Sequence, residues 1–195
     1  MAFLRSITSI DPPAGLHGKG IFMRAPQMSD FAQWEELRRK SQAFLTPWEP
    51  TWSPEDLTRN SFRRRVRNYT RDIRQDESYP FFIFDASGET LLGGLTLANV
   101  RRGVTQSCSL GYWLGLDKTG KGHMTAAIKA IIPFVFRSLR LHRLEAACLP
   151  TNHRSIRLLE RTGFSHEGLA RCYLCINGVW QDHLLFARLE GDPDN

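Results

Sequence analysis

The chain has 195 residues, 42% hydrophobic, 11% aromatic and 24% charged, with a net charge of +6. That is enough chain for one domain with a sizeable core and a cleft. The same figures exclude a membrane-spanning helix, because no apolar run nears the ~20 residues one requires. They also exclude a disulfide scaffold, since the four cysteines form no framework.

The start, "MAFLRSITSID", is too short and polar for a signal peptide, so the expected setting is reducing and cytoplasmic. Residues 1–18, with "DPPAGLHGKG", read as a loose lead-in. "GIFMR" (20–24) is a short strand. Ser29 is placed to cap a helix over "DFAQWEELRRKSQ", and "FLTPWEPTWSP" (44–54) reads as the loop to the next helix. That helix, from about 55 to 75, contains "RNSFRRRVRNYTRDIR", with seven arginines against one aspartate. Phe62, Val66, Tyr69 and Ile73 recur at helical spacing, which leaves the arginines on the wet face. The face is either simply solvated or a contact for RNA or another acidic partner.

The period then changes. "YPFFIFD" (79–85), "TLLGGLTLANV" (90–100) and "SCSLGYWLG" (107–115) are strands, the first two joined by an "ASGE" turn. A helix follows to about 139, striped by Met124, Ile128, Ile131, Val135 and Leu139, with Pro133 expected to kink it. "HRLEAACL" (142–149) is a strand. Asn152 caps the next helix and Gly163 closes it. Two last strands flank the hairpin turn Asn177-Gly178. The order β-α-α-β-β-β-α-β-α-β-β describes an α+β fold, a mixed sheet with helices packed on it.

Chemistry concentrates at "TGKGHMTAA" (119–127), between a strand and a helix. A phosphate-binding P-loop would need a hydroxyl residue after Lys121, and Gly122 stands there. A dinucleotide fingerprint would need glycine at Thr125. Two readings remain. The glycines make only a tight turn, or they let main-chain N–H groups at the helix start grip an anionic cofactor such as coenzyme A. Cys172 and Cys175 carry no zinc reading. Three apart on a strand, they face opposite sides, and no second pair completes a ligand set.

"GYWLG…TGKGHMTAA" resembles the strand-loop-helix of the GNAT N-acetyltransferase superfamily. "FLTPWEP", "NHRSIRLLERTGFSHEG" (152–168) and "YLCINGVWQDHLLFA" (173–187) resemble, in the right order, segments of its ribosomal-protein-alanine N-acetyltransferases of RimJ type. The likeness spans residues 20–188, which gives a lead-in over 1–18, an acetyltransferase domain over 19–189 and a tail over 190–195.

The resemblance implies a splayed, mostly antiparallel sheet and acetyl-CoA as cosubstrate without a metal. It implies cofactor contacts from Trp113, Leu114, Thr119, Gly120, Lys121, Gly122, His123, Met124 and Asn152. The main-chain N–H near Leu114 would polarise the thioester carbonyl. The family pattern has glutamine or arginine where Thr119 stands, and Leu159 stands where many members carry a catalytic tyrosine. Ser155 is then the candidate acid, and Glu49 the candidate base. Trp48, Glu49, Tyr112 and Tyr173 would border the acceptor. Each has a plainer reading: a cap for Asn152, an exposed helix residue for Ser155, a loop carboxylate for Glu49, loop packing for Trp48 and hairpin packing for Tyr173. Glu145, on a strand beside the cleft, is either a pairing residue or a base.

An α-amine, with a pKa of about 7.7–8.0, is partly neutral near neutral pH, whereas lysine, near ~10.4, is not. An N-terminal acceptor therefore suits a chain with no evident catalytic dyad. The expected acceptor is the α-amine of a protein N-terminus, such as a ribosomal protein's alanine, with rRNA contact through residues 59–74. The alternatives are a small-molecule amine as acceptor, and a non-catalytic ribosome- or RNA-associated module.

Overall fold

The computed structural model describes residues 14–193. Among these, eight strands form one sheet: β1 (Leu16–Gly18), β2 (Ile21–Arg24), β3 (Tyr79–Asp85), β4 (Leu91–Arg101), β5 (Ser107–Leu114), β6 (Arg143–Cys148), β7 (Ser165–Ile176) and β8 (Val179–Leu189). The spatial order is β1-β2-β3-β4-β5-β6-β8-β7. Every neighbouring pair is antiparallel except β5 and β6. The helices are α1 (Phe31–Lys40), the single turn α2 (Gln42–Leu45), α3 (Arg59–Arg74), α4 (His123–Pro133) and α5 (His153–Arg161). The expected mixed, mostly antiparallel α+β fold is the one found. Leu16–Gly18, inside the segment read as a lead-in, adds one strand against β2. The expected residues 1–13 lie outside the described ones.

β3 is apolar at six consecutive positions because both of its faces are covered. Tyr79, Phe81 and Ile83 enter the larger core beneath α4, with Ile128, Ile131 and Leu144. Phe82 and Phe84 enter a smaller core with Trp34 and Leu37 of α1 and Phe62 of α3. Alternation along β5 divides its side chains the same way: Tyr112 and Leu114 pack on the larger core, Trp113 on the smaller.

Three local details depart from the sequence reading. Asp30, not Ser29, precedes α1. Its buried carboxylate accepts two bonds from Arg24 (2.6 and 2.8 Å) and one from the Gln27 N–H (2.7 Å), a partnership with a preceding strand that local capping rules do not contain. The segment 44–54 begins with helical turns, through α2 and a 3-10 turn over Thr46–Trp48, before it becomes irregular. The kink expected at Pro133 takes the form of a helix end: α4 stops there and a wider turn over Phe134–Ser138 follows, closed by the Leu139 N–H on the Phe134 carbonyl (2.8 Å). Proline has no N–H to continue the regular ladder.

Other signals stand as read. The seven arginines of α3 are all exposed, while the helix begins at Arg59 rather than near 55, capped by Thr58, which the sequence reading did not single out. The Asn152 side chain accepts the Ser155 N–H at 3.1 Å. Gly163, at φ +84°, ends α5 with the Phe164 N–H bonded back to Leu159 and its own N–H to Glu160. Asn177 and Gly178, both at positive φ, turn β7 into β8.

Candidate active site

β5 and β6 pair through only three residues, Ser107–Ser109 with Arg143–Glu145. Beyond them, β5 continues along β4 as far as Leu114 opposite Gly93, while β6 continues along β8 as far as Cys148 opposite Leu184. Each strand is held on its outer side and left free on its inner side, so the sheet opens into a V. The Gly115 N–H donates to the Leu92 carbonyl (3.0 Å). Antiparallel ladders alternate, so the main-chain groups of Leu114, one residue back, point away from β4 and into the V.

The loop "TGKGHM" closes the wide end. Gly120 and Gly122 adopt φ +75° and +81°, the left-handed region that glycine enters without strain. A Cβ built on either would meet no protein atom within 4 Å, so packing does not demand these glycines. What remains is the backbone turn itself and bare backbone facing outward. The first bond of α4 runs from the Ala126 N–H to the Gly122 carbonyl (3.0 Å), which leaves the N–H groups of His123, Met124 and Thr125 uncommitted within the helix, at its positive end. Burial first, then the charges of Lys121 and Lys118, hold His123 below its ordinary pKa of 6.5, which marks the loop as electropositive. The loop is anchored from behind: the Leu116 N–H donates to the buried Ser41 hydroxyl (3.0 Å), and the Thr119 hydroxyl donates to the Leu116 carbonyl (2.9 Å).

The expected cofactor residues separate by what they can present. Met124, 6% exposed, buries its side chain in the core and has only its main chain to offer. Trp113 turns its indole to the opposite face of the sheet, over Gly94 and against Arg38, so it too faces the V only with backbone. Thr119 folds its hydroxyl back on the loop. Asn152 is half-buried at the start of α5, its side-chain oxygen occupied as a cap.

Ser155 sits at the V. It is 9% exposed, and its hydroxyl lies 2.6 Å from that of Tyr112. Burial pushes the Tyr112 phenol well above its ordinary value, with the Ser155 bond pulling the other way. Burial also raises the Cys148 thiol, with the neighbouring Ser155 hydroxyl pulling the other way. Tyr112 of β5 and Ser155 of α5 thus meet across the V, with Cys148 of β6 beside them. Leu159 is fully buried core.

Glu49 is placed otherwise than a base requires. Arg38 takes both of its carboxylate oxygens (2.8 and 2.6 Å), and the Trp52 indole N–H donates to one of them (2.9 Å). The Arg38 guanidinium in turn lies 4.1 Å from the ring centre of Trp52 and 4.7 Å from that of Trp113. The Glu49 carbonyl accepts the Asn177 N–H (2.9 Å), tying this loop to the tip of the β7–β8 hairpin. Trp48 is half-buried at the end of the preceding 3-10 turn. Tyr173 lies apart from these residues. It sits 48% exposed in the irregular stretch of β7, against His183 and beside a surface cleft with Arg101, Ser109 and Glu145. Glu145 is a pairing residue, bonded to Arg101 (2.7 Å) and Arg143 (2.9 Å). Sequence reasoning missed Arg38, and no local signal marks it, because its carboxylate partner is eleven positions away and its aromatic partners come from a loop and from β5.

Residues 21–165 match the family described as Acetyltransferase (GNAT) domain. The chain belongs to the GNAT acetyltransferases. It is similar to the probable N-acetyltransferase YjcK of Bacillus subtilis strain 168, at 36% identity over 179 residues, 92% of this chain and 99% of that protein. It is 36% identical over 148 residues to the ribosomal protein uS5-alanine N-acetyltransferase of Escherichia coli K12, covering 76% of each. Among solved structures, Mycobacterium smegmatis RimJ in complex with CoA-disulfide superimposes with a TM-score of 0.84 at 34% identity, over 90% of this chain and 86% of that one. The resemblance drawn from the motifs therefore holds, and this acetyltransferase is an N-acetyltransferase by class. Among its described residues, no helix is long and apolar enough to cross a membrane, and no group of three or more metal-ligating side chains converges.

Proposed function

We propose that this acetyltransferase takes acetyl-CoA as cosubstrate and transfers the acetyl group directly to the α-amine of a protein N-terminus, of the alanine type found on ribosomal proteins. The observation that carries the reading is the V itself. A strand with inward main-chain groups ends in a loop whose backbone donors are uncommitted, whose two glycines present no Cβ, and whose lysines are cationic. Such a cradle suits a diphosphate held by backbone and charge. Gly120, Lys121, Gly122, His123 and Met124 would hold the anionic arm, mainly through main chain, and the Leu114 N–H would face the thioester oxygen. Asn152, beyond its capping role, would border the pantetheine arm. The thioester supplies the activated acyl group.

Ser155 is the proposed acid toward the departing sulfur. Its hydroxyl is buried at the V and bonded to the Tyr112 hydroxyl at 2.6 Å. With Glu49 saturated by Arg38, no carboxylate is assigned as base. An N-terminal amine, partly neutral near pH 7.5, loses its proton to solvent, which a lysine acceptor would do about 300-fold less readily. The acceptor would enter along the Thr46–Trp52 loop, with Trp48 and Tyr112 as borders and Tyr173 at the outer rim.

The alanine preference is carried by the likeness to the Escherichia coli enzyme that acts on uS5. The test is intact-mass analysis after incubation with acetyl-CoA and a panel of peptides with N-terminal alanine or serine, N-blocked lysine peptides and small amines. A single acetyl on the alanine-initiated peptide is expected. Turnover confined to small amines would move the acceptor class, and no turnover with any amine would favour a non-catalytic module.

A second surface supports a ribosomal context. All seven arginines of α3 are exposed; Arg59 and Arg65 lie over the rings of Phe31 and Trp34, Arg71 pairs with Asp72, the helix's sole acid, and the rest present a cationic surface. We infer contact with rRNA phosphates there, in a cytoplasmic setting. Retention of a short RNA duplex should fall with rising salt and with Arg63, Arg64 and Arg67 changed to alanine. Salt-independent retention would remove this contact.

A further inference from the structure

The acetyltransferase carries a pair of bonded hydroxyls of unequal acidity. An alkyl hydroxyl such as that of Ser155 is a weaker acid than a phenol, and remains so although burial raises the Tyr112 phenol above its ordinary value. A serine that gives a proton to a departing thiolate must therefore be resupplied in the same event. The group in contact with Ser155 is Tyr112, its oxygen 2.6 Å away. We propose that Tyr112 is the proton source of the transfer, acting through Ser155, and that this pair does the work of the tyrosine that Leu159 displaces.

Three observations carry the proposal. Tyr112 and Ser155 come from opposite walls of the V, β5 and α5, so their bond spans the place where the cofactor arm would run. Tyr112 lies three residues past Ser109, where pairing with β6 ends, and two before Leu114, whose N–H faces the V. A sulfur lies beside the pair: the Cys148 thiol of β6 interacts with both the Ser155 hydroxyl and the Tyr112 phenol. The groups facing the phenol are Ser155 of α5 and Cys148 of β6, and its burial keeps it protonated through the physiological range. Tyr79, by contrast, gives its hydroxyl to Asp76 (2.7 Å) beneath the sheet.

The step balances. The amine nitrogen bonds to the thioester carbon, and the C–S bond then breaks with its electron pair on sulfur. The Ser155 proton passes to that sulfur and the Tyr112 proton to the Ser155 oxygen. The proton lost by the acylated nitrogen to solvent is regained from solvent by the phenolate. Amide and free thiol are the products, and the enzyme returns to its starting state. Tyr112 is on this account a positioning residue, since it acts through Ser155.

The proposal rests on Ser155 as acid, so the experiment separates the two. Thiol release from acetyl-CoA is followed for wild type, Tyr112→Phe, Ser155→Ala and the double variant. An alanine-initiated peptide is one acceptor and water the other, so the result does not depend on the peptide being accepted. Tyr112→Phe is expected to lower kcat about 10- to 100-fold with acetyl-CoA affinity by calorimetry and Tm nearly unchanged. The double variant should be no slower than Ser155→Ala alone. In mixed H2O and D2O, the proton inventory should be curved for wild type and linear for Tyr112→Phe. Wild-type kcat in Tyr112→Phe, or losses that multiply in the double variant, would overturn the relay. Wild-type kcat in Ser155→Ala would instead overturn the assignment of Ser155. Should Tyr112→Phe fail to fold, 3-fluorotyrosine at position 112 replaces it. A more acidic phenol resupplies the Ser155 oxygen more readily, so kcat at neutral pH and its solvent isotope effect should both change, and wild-type values of both would reject the proposal.

Discussion

The two sides of β5 are organised on opposite terms. On the side of the V and the "TGKGHM" loop, polar backbone is left without partners: inward groups at Leu114, helix-start amides at His123 to Thr125, and two glycines with open space around them. On the side of Trp113, the charged oxygens are taken up. Arg38 binds Glu49 twice, lies against two indoles, and leaves no charged oxygen of Glu49 unengaged. Unpaired donors cost stability unless something binds them, and saturated charges contribute rigidity but little chemistry. The proposed function assigns the first side to the ligand and makes the second a supporting wall. A conspicuous carboxylate in a functional loop is not thereby a base.

That contrast breaks most directly at Gly122. Valine there would force a branched residue to φ +81° and place methyl groups over the backbone face. We expect acetyl-CoA affinity to fall at least about 100-fold by calorimetry, and about tenfold for Gly122→Ala, in a protein that still melts cooperatively. Affinity retained by the valine variant would mean that the loop is only a turn.

On the saturated side, Glu49→Ala strands the Arg38 guanidinium, whose side chain is 14% exposed. A cost of about 2–3 kcal/mol in urea unfolding is expected from the lost charge-assisted bonds. If Glu49 is structural, Glu49→Gln leaves the shape of the pH–kcat profile intact. Disappearance of an acid limb in that variant would restore the base assignment.

Asn152→Ala is smaller, about 1 kcal/mol for the lost cap on the Ser155 N–H. Asn152→Asp should retain the stability. A drop in acetyl-CoA affinity in the aspartate variant would then separate the cofactor contact from the cap.

The smallest effect concerns His123. Its pKa is held low in the free protein, by burial first and then by Lys121 and Lys118. A bound anion favours the imidazolium, so the complex would take up protons. Affinity for acetyl-CoA should then rise a few-fold as pH falls from 7.5 through 6, and His123→Gln should flatten that slope. A slope of the opposite sign would place the anion elsewhere.

Legibility in the sequence followed the range of the interactions. The strand runs at 79–85 and 107–115, the Asn152 cap, the Gly163 stop and the Asn177-Gly178 turn are local, and each could be read from neighbours in the chain. The shape of the loop was equally legible, because its two left-handed turns need backbone freedom, and glycine spacing records that freedom directly. Asp30 replaced Ser29 at the start of α1 because its partner, Arg24, belongs to a strand. Glu49 looked available because Arg38 lies a helical turn and a loop away. Tyr112 and Ser155 are 43 positions apart, and no periodicity announces that their hydroxyls meet. Leu159 is buried core, and nothing in its neighbourhood along the chain points to the Tyr112–Ser155 pair proposed above.

The central claim is that main-chain amides at the entry to α4 hold the anionic arm of acetyl-CoA without a metal ion. The direct measurement is the amide spectrum of uniformly 15N-labelled protein titrated with coenzyme A in the presence of EDTA. The account predicts that the N–H signals of Gly120, Lys121, Gly122, His123 and Met124 move furthest and saturate together, unaffected by the chelator. Saturable binding that leaves these five amides in place, or binding that vanishes with EDTA, would contradict it.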